Sequence, residues 1–199
     1  TGTEFGNIYI GHVSIVGGSG DGAYCIHSTR PQSLFENIHM EGPTGYNNPG
    51  IKLSSASQGS WGSTVRRCKW VGPATATSFR GLYIDIDGGD VEIQWCQMTR
   101  GSVGCEIIKG EAINIRHCNF NLQDSSFSSE AVADGRCAIR LSGVGLKKAV
   151  RIGSCYLEGS TCCVWAESVE SLKIESTFMD DLGSGSDGNV RLRSAATKN

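Results

Sequence analysis

The chain has 199 residues and a mass of 21.2 kDa, the size of one domain, which excludes a large multidomain enzyme. A formal net charge of −2, a pI near 6.1 and 19% charged residues argue against a disordered tail and against a basic nucleic-acid binder. No run approaches the roughly 18 apolar residues that span a bilayer, so membrane insertion is not expected, and 27 glycines against 4 prolines without a triplet period imply many turns rather than collagen.

A six-position phrase recurs along the chain: an apolar residue, two variable ones, a small apolar one, another variable one, and a large apolar one. In chain order it reads Ile10-Val13-Ile15, Phe35-Ile38-Met40, Val65-Cys68-Trp70, Ile93-Cys96-Met98, Ile115-Cys118-Phe120, Ile152-Cys155-Leu157 and Ile174-Thr177-Met179. First members are 25, 30, 28, 22, 37 and 22 residues apart, so the unit is one turn of a solenoid whose loops differ in length. Ile8, Val91, Ile113, Val150 and Leu172 stand two positions earlier, giving the period-two alternation of a strand with one buried face. The extra residue inside each phrase marks a bend between two strands.

A second short strand follows each phrase. It opens on glycine in Gly22-Ala23-Tyr24-Cys25, Gly50-Ile51-Lys52-Leu53, Gly81 to Ile86 and Gly104-Cys105-Glu106-Ile107, and without glycine in Cys137 to Leu141, Cys162 to Ala166 and Val190-Arg191-Leu192. Apolar residues at three-and-four spacing are missing, so strands do not alternate with helices. The expectation is an all-β parallel β-helix of about seven coils over residues 1–193, with a short tail at 194–199. Solenoids need capping units, and no amphipathic helix precedes the first coil, so the segment is expected to come from a longer protein or to be protected by association.

Nine cysteines, an odd number, lack the paired spacing of a zinc site, and no metal or other cofactor is expected. Cys68, Cys96, Cys118 and Cys155 share one phrase position, where they would stack at about 4.8 Å as a column of small buried thiols. Reduced thiols and synthesis in a cytoplasm are expected, although spacing alone permits disulfides along the column.

These strand phrases, with glycine-rich corners and segments such as Phe35-Glu36-Asn37-Ile38-His39-Met40-Glu41-Gly42 and Leu157-Glu158-Gly159, resemble the right-handed, pectate-lyase-like β-helix superfamily. Within it the look is closest to bacteriophage tailspike and tail-fibre proteins. The resemblance implies a right-handed coil and a homotrimer that binds, and often cleaves, bacterial surface polysaccharide from the tail of a virion. A monomeric secreted polysaccharide lyase or glycoside hydrolase, and a purely structural fibre spacer, remain as other readings, since one fold hosts many activities.

The same register sorts outward positions into rows. Planar amides, guanidiniums and aromatic rings on this wall suit sugar hydroxyls and apolar sugar faces, which makes Trp95, Arg116, His117, Asn119 and Tyr156 the binding candidates; an ordinary solvated face or a trimer interface is the alternative. Hydrolytic cleavage commonly uses two carboxyl groups about 5–9.5 Å apart. Asp85 and Asp87 share the outward face of one strand, and Glu106 lies one coil above in register with Tyr83, so these three acids are the catalytic candidates. Asp180, Asp181 and Asp187 read as a Gly/Ser-rich turn. Asp85-x-Asp87-Gly-Gly-Asp90 lacks the glutamate that would complete an EF-hand loop. Neither a Gly-x-Ser-x-Gly elbow nor a P-loop is present.

Overall fold

The computed structural model describes residues 8–16, 26–29, 32–42, 49–55, 62–72, 79–122, 137–143, 145, 147–159, 162–181 and 190–193. All regular structure among them is β-strand, and every strand pairing is parallel. The strands are β1 (Tyr9–Val16), β2 (Ile26–Ser28), β3 (Leu34–Glu41), β4 (Ile51–Ser55), β5 (Ser63–Arg66), β6 (Lys69–Val71), β7 (Arg80–Ile86), β8 (Asp90–Gln94) and β9 (Gln97–Thr99). They continue as β10 (Val103–Arg116), β11 (Asn119–Asn121), β12 (Cys137–Leu141), β13 (Lys147–Gly153), β14 (Tyr156–Gly159), β15 (Cys162–Glu167), β16 (Val169–Glu175), β17 (Phe178–Asp181) and β18 (Val190–Arg193).

Parallel neighbours a full layer apart in sequence produce stacked columns, the arrangement of a β-solenoid. One column carries the phrases. Their first members stack as Ile10, Phe35, Val65, Ile93, Ile115, Ile152 and Ile174. Their last members stack as Ile15, Met40, Trp70, Met98, Phe120, Leu157 and Met179. A second column stacks β2, β4, β7, the first part of β10, β12, β15 and β18. The 14-residue β10 runs through both columns, with a register shift at Ile107 to Lys109, and so ties all 18 strands into one hydrogen-bonded sheet.

In the first layer the described second strand is Ile26–Ser28, with Ile26 paired to Ile51; Gly22 to Cys25, read as strand from the sequence, lie outside the described residues. Asp180 and Asp181, read as a turn, instead close β17, where they pair with Glu158 and Gly159; Asp187 is outside the described residues. Alternation at Phe178 and Met179 carries the strand to its end despite the following Gly/Ser run.

The bend inside each phrase is a row of left-handed residues. His12, Asn37, Arg67, Trp95, His117, Ser154 and Ser176 all have φ between 49° and 57°. This backbone costs L-residues roughly 1–2 kcal/mol each, and a repeated hydrogen bond offsets it. The amide of Arg67 donates to Gln94 O at 2.9 Å, Trp95 to Arg116 O at 3.2 Å, His117 to Gly153 O at 3.1 Å and Ser154 to Glu175 O at 3.1 Å. The turn throws the next position inward. Cys68, Cys96, Cys118 and Cys155 are buried there, each thiol donating to the carbonyl of the preceding layer's first phrase residue, at 3.5 to 3.8 Å.

Glycine opens the second strands for a steric reason. A Cβ on Gly81 would lie 2.7 Å from Met98 Sδ and from Gly104 O, and one on Gly104 would lie 2.5 Å from Ala138 O and 2.8 Å from the Phe120 ring. The bulky last members Trp70, Met98 and Phe120, all fully buried, therefore occupy the space the glycines leave. Where that member shrinks to Leu157, the corner residue next in the column after Gly104 is Ala138.

Candidate functional site

The outward wall of the phrase column carries the binding candidates in the rows their spacing predicts. One row stacks Gly11, Glu36, Arg66, Gln94, Arg116, Gly153 and Glu175. Another stacks Ser14, His39, Lys69, Gln97, Asn119, Tyr156 and Phe178. Between them runs the left-handed row. Its φ near 55° points Trp95 and His117 away from the core, and their rings stack at 4.3 Å between centroids with 16° between planes. Trp95 is 55% exposed, which is unusual for an indole. Arg116 and Asn119 are exposed beside this stack.

Tyr156, half-buried, stacks on Phe178 of the next layer at 5.2 Å and 12°, forming a second flat aromatic surface with Phe178 exposed. Its hydroxyl donates to Glu158 Oε2 at 3.3 Å. Glu158 is buried, its Oε1 meets no hydrogen-bond partner among the described residues, and it pairs in register with Asn121 below and Asp180 above. Burial pushes the Glu158 carboxyl above the usual carboxylate range, the Asp180 charge adds to this, and the Tyr156 hydroxyl opposes it. Sequence reasoning passed over Glu158 as a site residue, although period-two alternation from Tyr156 places it on the same outward face.

The wall is electrostatically mixed. Arg66 Nη2 and Arg67 Nη1 reach the two oxygens of Glu36 at 3.0 and 3.3 Å, and the Arg66 hydrogen bond chiefly holds the Glu36 carboxyl below its ordinary value. One carboxylate thus serves two guanidiniums, leaving a net positive charge beside Lys69 and below Trp95.

The three acids singled out from sequence sit on the second column. Asp85 and Asp87 face outward as alternation requires, and Asp87 pairs with Lys109 Nζ at 3.1 Å. Glu106 is in register with Tyr83, but it also faces Arg140, and it is only 3% exposed. Arg80 Nε contacts its Oε2, Arg140 Nε approaches Oε1 at 3.7 Å, and Ser142 Oγ donates to Oε1 at 2.9 Å. A carboxylate enclosed by two guanidiniums and a hydroxyl is a tie between three layers. Asp85 pairs with Ser54 below and Lys109 above, so it is not in register with Glu106.

Among the described residues no cluster of three or more His, Cys, Asp or Glu side chains is arranged to hold a metal ion, and no helix is long and apolar enough to cross a membrane. Comparison with family models, with curated proteins and with solved structures gave no match.

Proposed function

We propose that the chain is the receptor-binding segment of a bacteriophage tailspike, a right-handed parallel β-helix of about seven coils that assembles as a homotrimer and recognises bacterial surface polysaccharide. The observation that carries this reading is the exposed Trp95 ring, stacked on His117 and flanked by Arg116 and Asn119 on the outward wall. An aromatic face takes the apolar face of a sugar ring, while neighbouring amides and guanidiniums hydrogen-bond its hydroxyls or any acidic substituents. The Tyr156 and Phe178 stack lies further along the same wall, which suits an extended chain of several sugars better than a single one.

Recognition is favoured over cleavage at the acids of the second column, because Glu106 and Asp87 are already engaged by cations. Synthesis takes place in a host cytoplasm and action at the virion tail. The experiment is a glycan array of bacterial capsular and O-chain polysaccharides, probed with wild type and Trp95→Ala. Binding of at least one polymer, weakened tenfold or more by Trp95→Ala, is expected, equivalent to about 1.4 kcal/mol. Equal binding by both proteins would remove the wall from the reading, and a stable monomer by mass in solution would count against the trimeric tailspike. Shortened products from the bound polymer would add depolymerase activity.

A further inference from the structure

We propose that Cys137 and Cys162 form an oxidation site, a pair of thiols that closes to a disulfide between adjacent layers when the folded chain meets a peroxide. The two residues are direct partners in the parallel pairing of β12 with β15. Neighbouring strands lie about 4.8 Å apart, which falls within the 4.4–6.8 Å between Cα atoms that a disulfide spans. The sulfurs are in contact, Sγ to Sγ 2.8 Å.

Their placement separates them from the other cysteines. Ala138, Ile139 and Leu141 belong to the main core, while Cys137 and Cys162 make a separate buried cluster with Trp165. Thiols of the phrase column are directed at backbone carbonyls, as Cys118 is to Ile93 O. Cys163, next in sequence to Cys162, faces the core and donates to Leu157 O and Asp180 O, both at 3.4 Å. Contact with Cys162, reinforced by burial, pushes the Cys137 thiol up, and either sulfur can donate to the other across the contact.

Both side chains are fully buried, which favours a small oxidant over a bulky disulfide such as oxidised glutathione. The Cys162 sulfur, as thiolate, attacks one peroxide oxygen; the O–O bond breaks and hydroxide leaves, taking a proton to become water. The Cys137 sulfur then displaces the hydroxyl from the resulting sulfenic acid, forming the S–S bond while water departs with the Cys137 proton. Two thiols and one hydrogen peroxide thus give one disulfide and two waters, the sulfurs losing two electrons. A chain folded with reduced thiols gains the tie afterwards, outside a reducing compartment.

The test treats the folded protein with hydrogen peroxide, blocks free thiols in denaturant, and maps peptides without reduction. Trypsin releases Cys137 in the short peptide ending at Arg140, and Cys162 in the peptide beginning at Ile152. The expected product links these two peptides, disappears in Cys162→Ser, persists in Cys163→Ser, and raises Tm by roughly 5–10 °C for a loop of this length. Over-oxidation of either cysteine without a link, a link through other cysteines, a link that lowers Tm, or no reaction would each overturn the proposal. The peptide beginning at Ile152 also carries Cys155 and Cys163, so fragment-ion sequencing of the linked wild-type peptides, with the blocking group found on those two cysteines, decides the matter even where a serine variant fails to fold.

Discussion

Lys147 offers the sharpest test of how the corners between layers are held. It is fully buried at the start of β13, with its Nζ 2.8 Å from Gly145 O, 2.9 Å from Ser142 O and 3.3 Å from both Ile108 O and Gly143 O. Lys147→Met keeps the stem and removes every donor. The two closest carbonyls then lose their partner, at roughly 1–3 kcal/mol for each buried acceptor left unpaired. Burial of the methionine tip returns a part, so the expected loss is roughly 3 kcal/mol, a fall in Tm of roughly 10 °C for a chain of this size. Urea unfolding measures it directly. Burial also pushes the Lys147 ammonium down to about 8, with the Glu167 charge opposing. Between that value and the ordinary 10.5 the unfolded chain binds more protons than the folded one, so this residue makes stability rise with pH across that window, and fall back as pH drops through about 8. The methionine variant should lose that slope. A variant within about 0.5 kcal/mol of wild type, with the slope intact, would refute the carbonyl cage as a stabilising element.

Gly104→Ala should destabilise by about 1–3 kcal/mol in chemical denaturation, because its Cβ would meet Ala138 O at 2.5 Å and the Phe120 ring at 2.8 Å; a neutral result would mean the corner has slack. Cys118→Asp should leave the protein unfolded by circular dichroism, whereas Asn119→Asp should melt near wild type, since one side chain is buried and the next exposed. Equal damage at both would reverse the inward and outward assignment. Glu36 is held below its ordinary 4.5 chiefly by the Arg66 hydrogen bond, so its contribution is present above that pH and is lost as pH falls through the lowered value. Melting curves from about pH 6 to pH 3 should therefore fall less steeply for Glu36→Gln than for wild type.

The repeating phrase made the register legible because each first and last member is a large apolar side chain that stacks on its own kind. Ile10 through Ile174 and Ile15 through Met179 align as their spacing requires. The bend was visible as an extra residue, but its left-handed backbone was not, since Arg67, Trp95, Ser154 and Ser176 in that row are not residue types that favour such a turn. In the second column, Gly81 and Gly104 were legible as corners because a bulky neighbour fills the space a Cβ would need. The enclosure of Glu106 was half readable: Arg140 follows from register alone, while Arg80 reaches over from an offset position. Lys147 gave no signal, because a lysine beside another lysine reads as a solvated surface.

Strands in this molecule lie crosswise to the direction in which they are stacked, and β10 is the one that belongs to both faces. A pull along the pile would therefore part the contacts between one tier and the next in turn, as a zip opens, instead of sliding many strands past one another at once. Mechanical toughness along that direction would have to come from ties that reach across tiers, and Glu106, gripped from below and above, is already placed to act as one.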